Sequence, residues 1–215
     1  TKSISLFFSV YDAFVPDRGT ITHDSNLPGK SYYLYIYSAG ISGCNIAMRI
    51  YLIGFMGSGK SHWGRRWAAT HEWPFYDLDD MITSSERLSV TDIFEQRGEE
   101  YFRMRETLTL RRTLGINRAI IACGGGTPCF RGNMEWMNEQ GFTIYLSATP
   151  AYLLQQVMAD RSQRPLLKNV NEAELLYFIQ QKLAEREPFY QQAKLKLHAD
   201  GLSANSLDSV IGPEN

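Results

Sequence analysis

The sequence predicts an α/β fold in three layers, a five-stranded parallel sheet flanked by helices on both faces, and three observations lead there. The apolar run Ile50-Tyr51-Leu52-Ile53 feeds directly into Gly54-Phe55-Met56-Gly57-Ser58-Gly59-Lys60-Ser61. That octapeptide matches G-x-x-x-x-G-K-[ST], which demands a strand before it and a helix after it. From Met48 onward strand-like and helix-like stretches alternate, as parallel strands joined by helical crossovers require. A second buried-strand run, Ala119-Ile120-Ile121-Ala122-Cys123, ends in Gly124-Gly125-Gly126, where the chain leaves the sheet without side chains.

Taken in order, strand one covers Arg49–Ile53. The helix after the loop carries Trp63, Trp67 and Ala68 at helical spacing, which reads as a core-facing stripe. Phe75-Tyr76 running into Asp77 is a short second strand. Ser89-Val90-Thr91-Asp92 forms a capped helix start and Gly98 a stop, after which Glu99 to Leu114 is charged and strongly helix-forming. Ala119–Cys123 and Phe142–Leu146 are the next strands. Thr149-Pro150 supplies an N-cap and a proline at the first helical position. Asn171 to Glu187 is a further helix stopped by Pro188, Lys194–His198 a fifth strand, and Ser206–Ile211 a short final helix.

Residues 1–47 do not read like this domain. They hold the aromatic segment Ser31-Tyr32-Tyr33-Leu34-Tyr35-Ile36-Tyr37 between turn-like stretches, and contain no methionine before Met48. The expectation is an N-terminal extension, of upstream or fusion origin, ahead of a functional domain at 48–215; a small β appendage is the alternative. Ser3–Val10 is cut short by Asp12 and is not read as a signal peptide.

A chain of 215 residues is long enough to bury a substantial core. Its net charge of −1 offers no basic footprint, so nucleic acid is not the expected partner. Cys44, Cys123 and Cys129 are an odd set without metal-ligand spacing, which favours a reduced, cytoplasmic protein. No apolar run approaches the roughly 20 residues that span a bilayer, so no membrane partner is expected.

The glycine-rich loop carries the first chemistry. Glycines at 54, 57 and 59 allow successive N–H groups to converge on a phosphate, Lys60 would reach the β/γ-phosphates, and the Ser61 hydroxyl would sit on Mg²⁺. An ordinary glycine-rich turn is the bland alternative. At the end of strand two stands Asp77-Leu78-Asp79-Asp80; read as extended chain, Asp77 and Asp79 point the same way, one to hold Mg²⁺ through water and one to accept a hydroxyl proton. A solvated acidic turn would look the same. Cys123 occupies the strand position where many phosphate-loop proteins place a metal-binding Asp, which leaves Asp77 as the candidate. Gly124-Gly125-Gly126 would let a ligand lie against bare backbone, unless the loop is merely flexible. Arg103, with Glu106 placed to orient it, and Arg186, which continues the stripe Leu176, Ile179 and Leu183, are cations suited to a fixed carboxylate or to structural ion pairs. Arg164, in the polar segment Asp160–Leu167, could close over a transferring phosphoryl group.

From Met48 to about Ile211 the chain resembles shikimate kinase, in the nucleoside-monophosphate-kinase-like P-loop family. The resemblance rests on Gly54–Ser61, Asp77-x-Asp79, Phe102-Arg103, Gly124-Gly125-Gly126, Arg164-Pro165-Leu166-Leu167 and Arg186-x-Pro188 in the same order. It implies a P-loop NTPase fold with strand order 2-3-1-4-5 and a substrate-binding helical insert after strand two. It further implies that Gly57, Ser58, Gly59, Lys60, Ser61 and His62 serve ATP, that Ser61 and Asp77 serve Mg²⁺, and that Asp79 meets the shikimate hydroxyls as base. Arg103 and Arg186 would hold the shikimate carboxylate, Gly124, Gly125 and Gly126 would line that side, Arg164 would be the lid arginine and Arg161 would flank the adenine. His62 stands where relatives often carry Thr, and the final helix ends early.

The expected reaction is transfer of the ATP γ-phosphoryl group to the 3-hydroxyl of shikimate, catalysed by Lys60, Asp79 and Arg164 in a monomer. Two alternatives stand beside it. A kinase for another hydroxy acid such as gluconate would share the loop but gives no reason for both Arg103 and Arg186. A non-catalytic nucleotide-binding regulator of the same fold has no need of Lys60, Asp77, Asp79 and Arg164 together.

Overall fold

Strand β1 (Met48–Ile53) is buried on both faces from Arg49 on, which is why it reads as an unbroken apolar run rather than an alternating one. Tyr51 and Ile53 enter one core layer, and Ile50 and Leu52 the other. In a computed structural model, residues 48–159 and 171–211 of the chain are described. β1 pairs in parallel with β3 (Arg118–Ala122) on one side and with β4 (Phe142–Ser147) on the other. β2 (Phe75–Asp77) and β5 (Leu195–His198) form the edges, giving the expected order β2-β3-β1-β4-β5.

The helices follow from local signals. α1 (Lys60–Thr70) starts at Gly59, whose left-handed backbone (φ 87) closes the loop. α2 (Leu78–Glu86) begins immediately after β2, with Asp77 as its N-cap. α3 (Val90–Arg112) opens with a capping box in which Ser89 and Asp92 satisfy each other's N–H groups, and it bends at Gly98 (φ 80, ψ 169) as the glycine predicts. α4 (Asn133–Gln140), α5 (Pro150–Ala159), α6 (Glu172–Tyr190) and α7 (Asp208–Ile211) complete the set, with the Thr149 hydroxyl accepting from the Tyr152 N–H at the start of α5. Leu110, Met134, Met137, Leu153 and Ile179 cover one face of the sheet; Trp67, Leu207, Val210 and Ile211 cover the other.

Three sequence expectations change. Pro188 does not stop α6: it lies in the last turn, where its missing N–H removes one intrahelical bond, to the carbonyl of the exposed residue Ala184, and the helix runs on to Tyr190, which is fully buried. The final helix is confined to Asp208–Ile211, yet it packs firmly, because Leu207 and Ile211 sit in the core and the Trp67 indole donates to the Ser203 carbonyl at 2.8 Å. The tryptophan stripe is split: Trp67 is buried, whereas Trp63 is half-exposed and stacks on it with ring centroids 5.7 Å apart.

Candidate functional site

The carboxyl ends of β1, β2 and β3 open onto a cavity of about 670 Å³, closed on its far side by α3 and α6. Ligands of open parallel sheets bind at this edge, where loops leave the strands side by side. On one wall is the glycine-rich loop. Lys60 folds back beneath it, its Nζ donating to the carbonyls of Gly54 at 2.9 Å and Phe55 at 2.8 Å, so the ammonium is held at the lip of the loop. Gly57, Gly59, Ser61 and His62 line the cavity. Ser58 is placed differently: it is 1% exposed and its N–H is taken by the Phe55 carbonyl.

The acidic pair is arranged by a helix start, not by an extended strand. β2 ends at Asp77, whose Oδ1 accepts the Asp79 N–H at 3.1 Å as the cap of α2. The first helical turn then brings Asp79 into the same cavity. Asp77 Oδ2 accepts from the Ser61 hydroxyl at 2.6 Å, joining the acidic turn to the loop. Asp79 Oδ1 is buried and has no hydrogen-bond partner. Burial, reinforced by the negative charges of Asp77 and Glu106, pushes the Asp79 carboxyl up to about 6. Burial also raises the Cys123 thiol well above its ordinary value, which makes it an uncharged wall.

Two arginines also line the cavity, Arg103 from α3 and Arg186 from α6, the latter beside the loop. Arg103 Nη1 donates to Glu106 Oε2 at 2.9 Å, and its Nε and Nη2 reach Glu99 Oε1 at 3.2 and 3.1 Å. Burial opposes its charge, but these two carboxylates outweigh that and raise the guanidinium above its usual value. The ring of Phe130 lies 4.4 Å from Arg103 Cζ, further fixing the plane. Arg186 lies over Phe55 at 5.4 Å. Between them runs Gly124-Gly125-Gly126, and these residues are glycine for a reason the sequence did not disclose. A Cβ on Gly124 would stand 2.6 Å from Glu106 Oε1, and one on Gly126 would stand 2.6 Å from Arg103 Nη1. The bare backbone makes room for the charged groups as well as for a ligand.

Sequence reasoning singled out Glu106 only as a partner for Arg103. The structure makes it fully buried, with its second oxygen accepting from the Thr127 hydroxyl at 2.5 Å. Thr127 and Tyr190, whose hydroxyl donates to the Gly125 carbonyl, were not foreseen; the one available hint was that Tyr190 falls a helical turn after Arg186. Val90, Phe94 and Gln156, which complete the lining, read in the sequence as ordinary helix residues. Arg164 and Arg161 lie outside the described residues, as does the segment 1–47.

A family model described as shikimate kinase matches residues 56–211, more than half of the chain. The chain belongs to the shikimate kinase family. Among its relatives, the shikimate kinase of Phocaeicola vulgatus is 41% identical over 154 residues, covering 72% of this chain and 88% of the relative. That of Bacteroides thetaiotaomicron is 39% identical over 155 residues, or 72% and 89%. The crystal structure of a shikimate kinase from Bacteroides thetaiotaomicron superposes with a TM-score of 0.74 at 36% identity, covering 77% of this chain and 99% of that one. A shikimate kinase from Acinetobacter baumannii, solved in complex with shikimate, gives 0.65 at 32% identity, covering 76% and 90%. Membership agrees with the sheet order and with the layout of loop, acidic pair and arginines.

Proposed function

We propose that the chain transfers the γ-phosphoryl group of ATP to the 3-hydroxyl of shikimate, in the route to chorismate and the aromatic amino acids. The observation that carries this reading is a single cavity lined by Lys60 and Ser61, by Arg103 and Arg186 beside three glycines, and by Asp79. Phosphoryl transfer asks a protein mainly to align two oxygens and neutralise charge, which such a layout does. Gly57, Gly59, Lys60, Ser61 and His62 would receive the triphosphate, with Ser58 supporting the loop from beneath. Arg103 and Arg186 would grip the acid's carboxylate, beside the backbone of Gly124, Gly125 and Gly126. Asp79, with a carboxyl poised near 6, would accept or orient the hydroxyl proton. Arg164 as a lid cation and Arg161 beside the adenine are proposed from the family resemblance.

The donor set suits Mg²⁺. Ser61 and Asp77 offer hard oxygen atoms already 2.6 Å apart, and the orphaned Asp79 oxygen keeps the surroundings negative. Among the described residues no cluster of three or more His, Cys, Asp or Glu could hold a metal. Few protein ligands, with phosphate oxygens and water making up the shell, is what Mg²⁺ prefers. Bound there, the ion would neutralise charge on the phosphate oxygens.

We further propose a monomer working in the cytoplasm, with residues 48–215 as the functional domain; among the described residues no helix is long and apolar enough to cross a membrane. The test is a coupled ADP-release assay with ATP, Mg²⁺ and shikimate, beside gluconate and a no-acceptor control. ADP release with shikimate alone is the expected result. Release with gluconate instead would reassign the acceptor, and ATP binding without release to any acceptor would turn the reading toward a regulator.

A further inference from the structure

Away from the cavity, α2 and α3 are joined through one nearly buried carboxylate. Glu86, the last residue of α2, has a side chain 8% exposed; its Oε2 accepts from Arg97 Nη1 at 2.8 Å and from the Tyr101 hydroxyl at 2.9 Å. Arg105 Nε stands 2.5 Å from Oε1 as an ion-pair contact, and Arg105 Nη2 donates to Ser85 Oγ at 2.7 Å. Arg97 Nη1 also reaches the Tyr101 hydroxyl at 2.6 Å, closing the cluster.

The partners of Glu86 lie on both sides of the bend in α3. Arg97 immediately precedes Gly98, whereas Tyr101 and Arg105 follow it one turn apart on one face. The Gly98 backbone (φ 80, ψ 169) occupies a region essentially reserved for glycine, and a Cβ there would meet nothing within 4 Å. Its glycine therefore serves the bend, not a close approach. Each arm of α3 contributes a wall of the cavity: Phe94 comes from the first arm, Phe102 and Arg103 from the second. They touch across the bend, with the Phe94 and Phe102 rings 4.7 Å apart and Arg103 Cζ 5.9 Å from the Phe94 ring.

We propose that Glu86 is a positioning residue for the acceptor side of the site: by binding Arg97 on one arm and Arg105 on the other, it sets the bend at Gly98 and so the place of Arg103 against Phe94. Without that carboxylate two guanidinium groups would face each other uncompensated, and the arms would move apart. This inference rests on the reading that Arg103 holds the acceptor's carboxylate.

The test compares Glu86→Gln, which keeps the shape and removes the charge, with Gly98→Ala, which disturbs the bend directly. Both should raise the shikimate KM by about fivefold or more while the ATP KM stays within about twofold, since only the acceptor wall moves. Two changes acting on one bend should also combine to much less than the product of their separate effects. An unchanged shikimate KM in folded Glu86→Gln, a parallel rise in both KM values, or fully multiplicative effects would overturn the proposal. Should Glu86→Gln fail to fold, Arg97→Gln releases only the first arm, through a side chain 41% exposed, and must show the same KM split. The unaltered chain is assayed first; no shikimate-dependent ADP release would sink the functional reading itself. Amide exchange then decides the latch separately: faster exchange across residues 93–103 in Glu86→Gln supports it, and unchanged exchange refutes it.

Discussion

The phenolic hydroxyl of Tyr190 donates to the Gly125 carbonyl at 2.5 Å, across 65 positions of sequence. Tyr190 is fully buried, and its ring leans on Tyr145 with centroids 5.0 Å apart, so the donor has little freedom. Tying that carbonyl back turns the N–H of the same trans peptide the other way. Tyr190→Phe should leave the carbonyl unpaired and lower stability by about 1–3 kcal/mol in urea unfolding. It should also raise the shikimate KM with the ATP KM unchanged; loss of stability without that split would make the bond purely structural.

Asp79 gives a pH prediction with a definite sign. Its folded carboxyl lies near 6, above the ordinary 3.8, so between those values the folded chain binds a proton that the unfolded chain releases. Stability therefore falls as pH rises through that window. Asp79→Asn should raise stability at pH 8 by roughly 1–3 kcal/mol, with no gain at pH 3.5, while removing turnover. In the unaltered protein, kcat/KM should climb with pH and level off above about 6. A flat profile across that range would take the base role from Asp79.

Lys60 and Arg186 both line the cavity and should fail differently. On the proposed roles, Lys60→Ala would remove charge acting on the transferring group and should cost kcat by about 100-fold or more. Arg186→Ala would remove a proposed grip on the acceptor and should appear mainly in the shikimate KM or in kcat/KM. Steady-state kinetics with each substrate varied separates the two, and equal losses confined to ATP affinity would contradict both roles.

The C-terminal segment is part of the core. Leu207→Ala deletes a side chain with no exposure, packed against the sheet face that α1 covers, and should cost about 2–4 kcal/mol. Chemical denaturation measures it; a loss below about 1 kcal/mol would mean that the segment folds independently of the domain.

What could be read in advance was what depends on short spacing. The loop Gly54–Ser61, the capped start of α3, the break in helical backbone at Gly98 and the pairing of Arg103 with Glu106 are all set within a turn or two of chain. Asp77 and Asp79 were found for an incorrect reason. Their convergence is the geometry of a helix cap, and the period-two argument assumed a strand two residues longer than β2 is. Pro188 misled because its cost depends on whether the carbonyl one turn earlier can reach water, which is a matter of surroundings.

The sequence by itself determined the phosphate loop, the alternation of strands and helices, and the pairing of Arg103 with Glu106, because each is written in neighbours along the chain. Only the tertiary structure decided that Glu106 and Arg103 lie against the glycines, that Tyr190 fixes Gly125, and that Glu86 binds both arms of α3. Those relations join segments brought together by burial of the sheet's two faces, and nothing in local spacing records which distant side chain will fill the space that a missing Cβ leaves open.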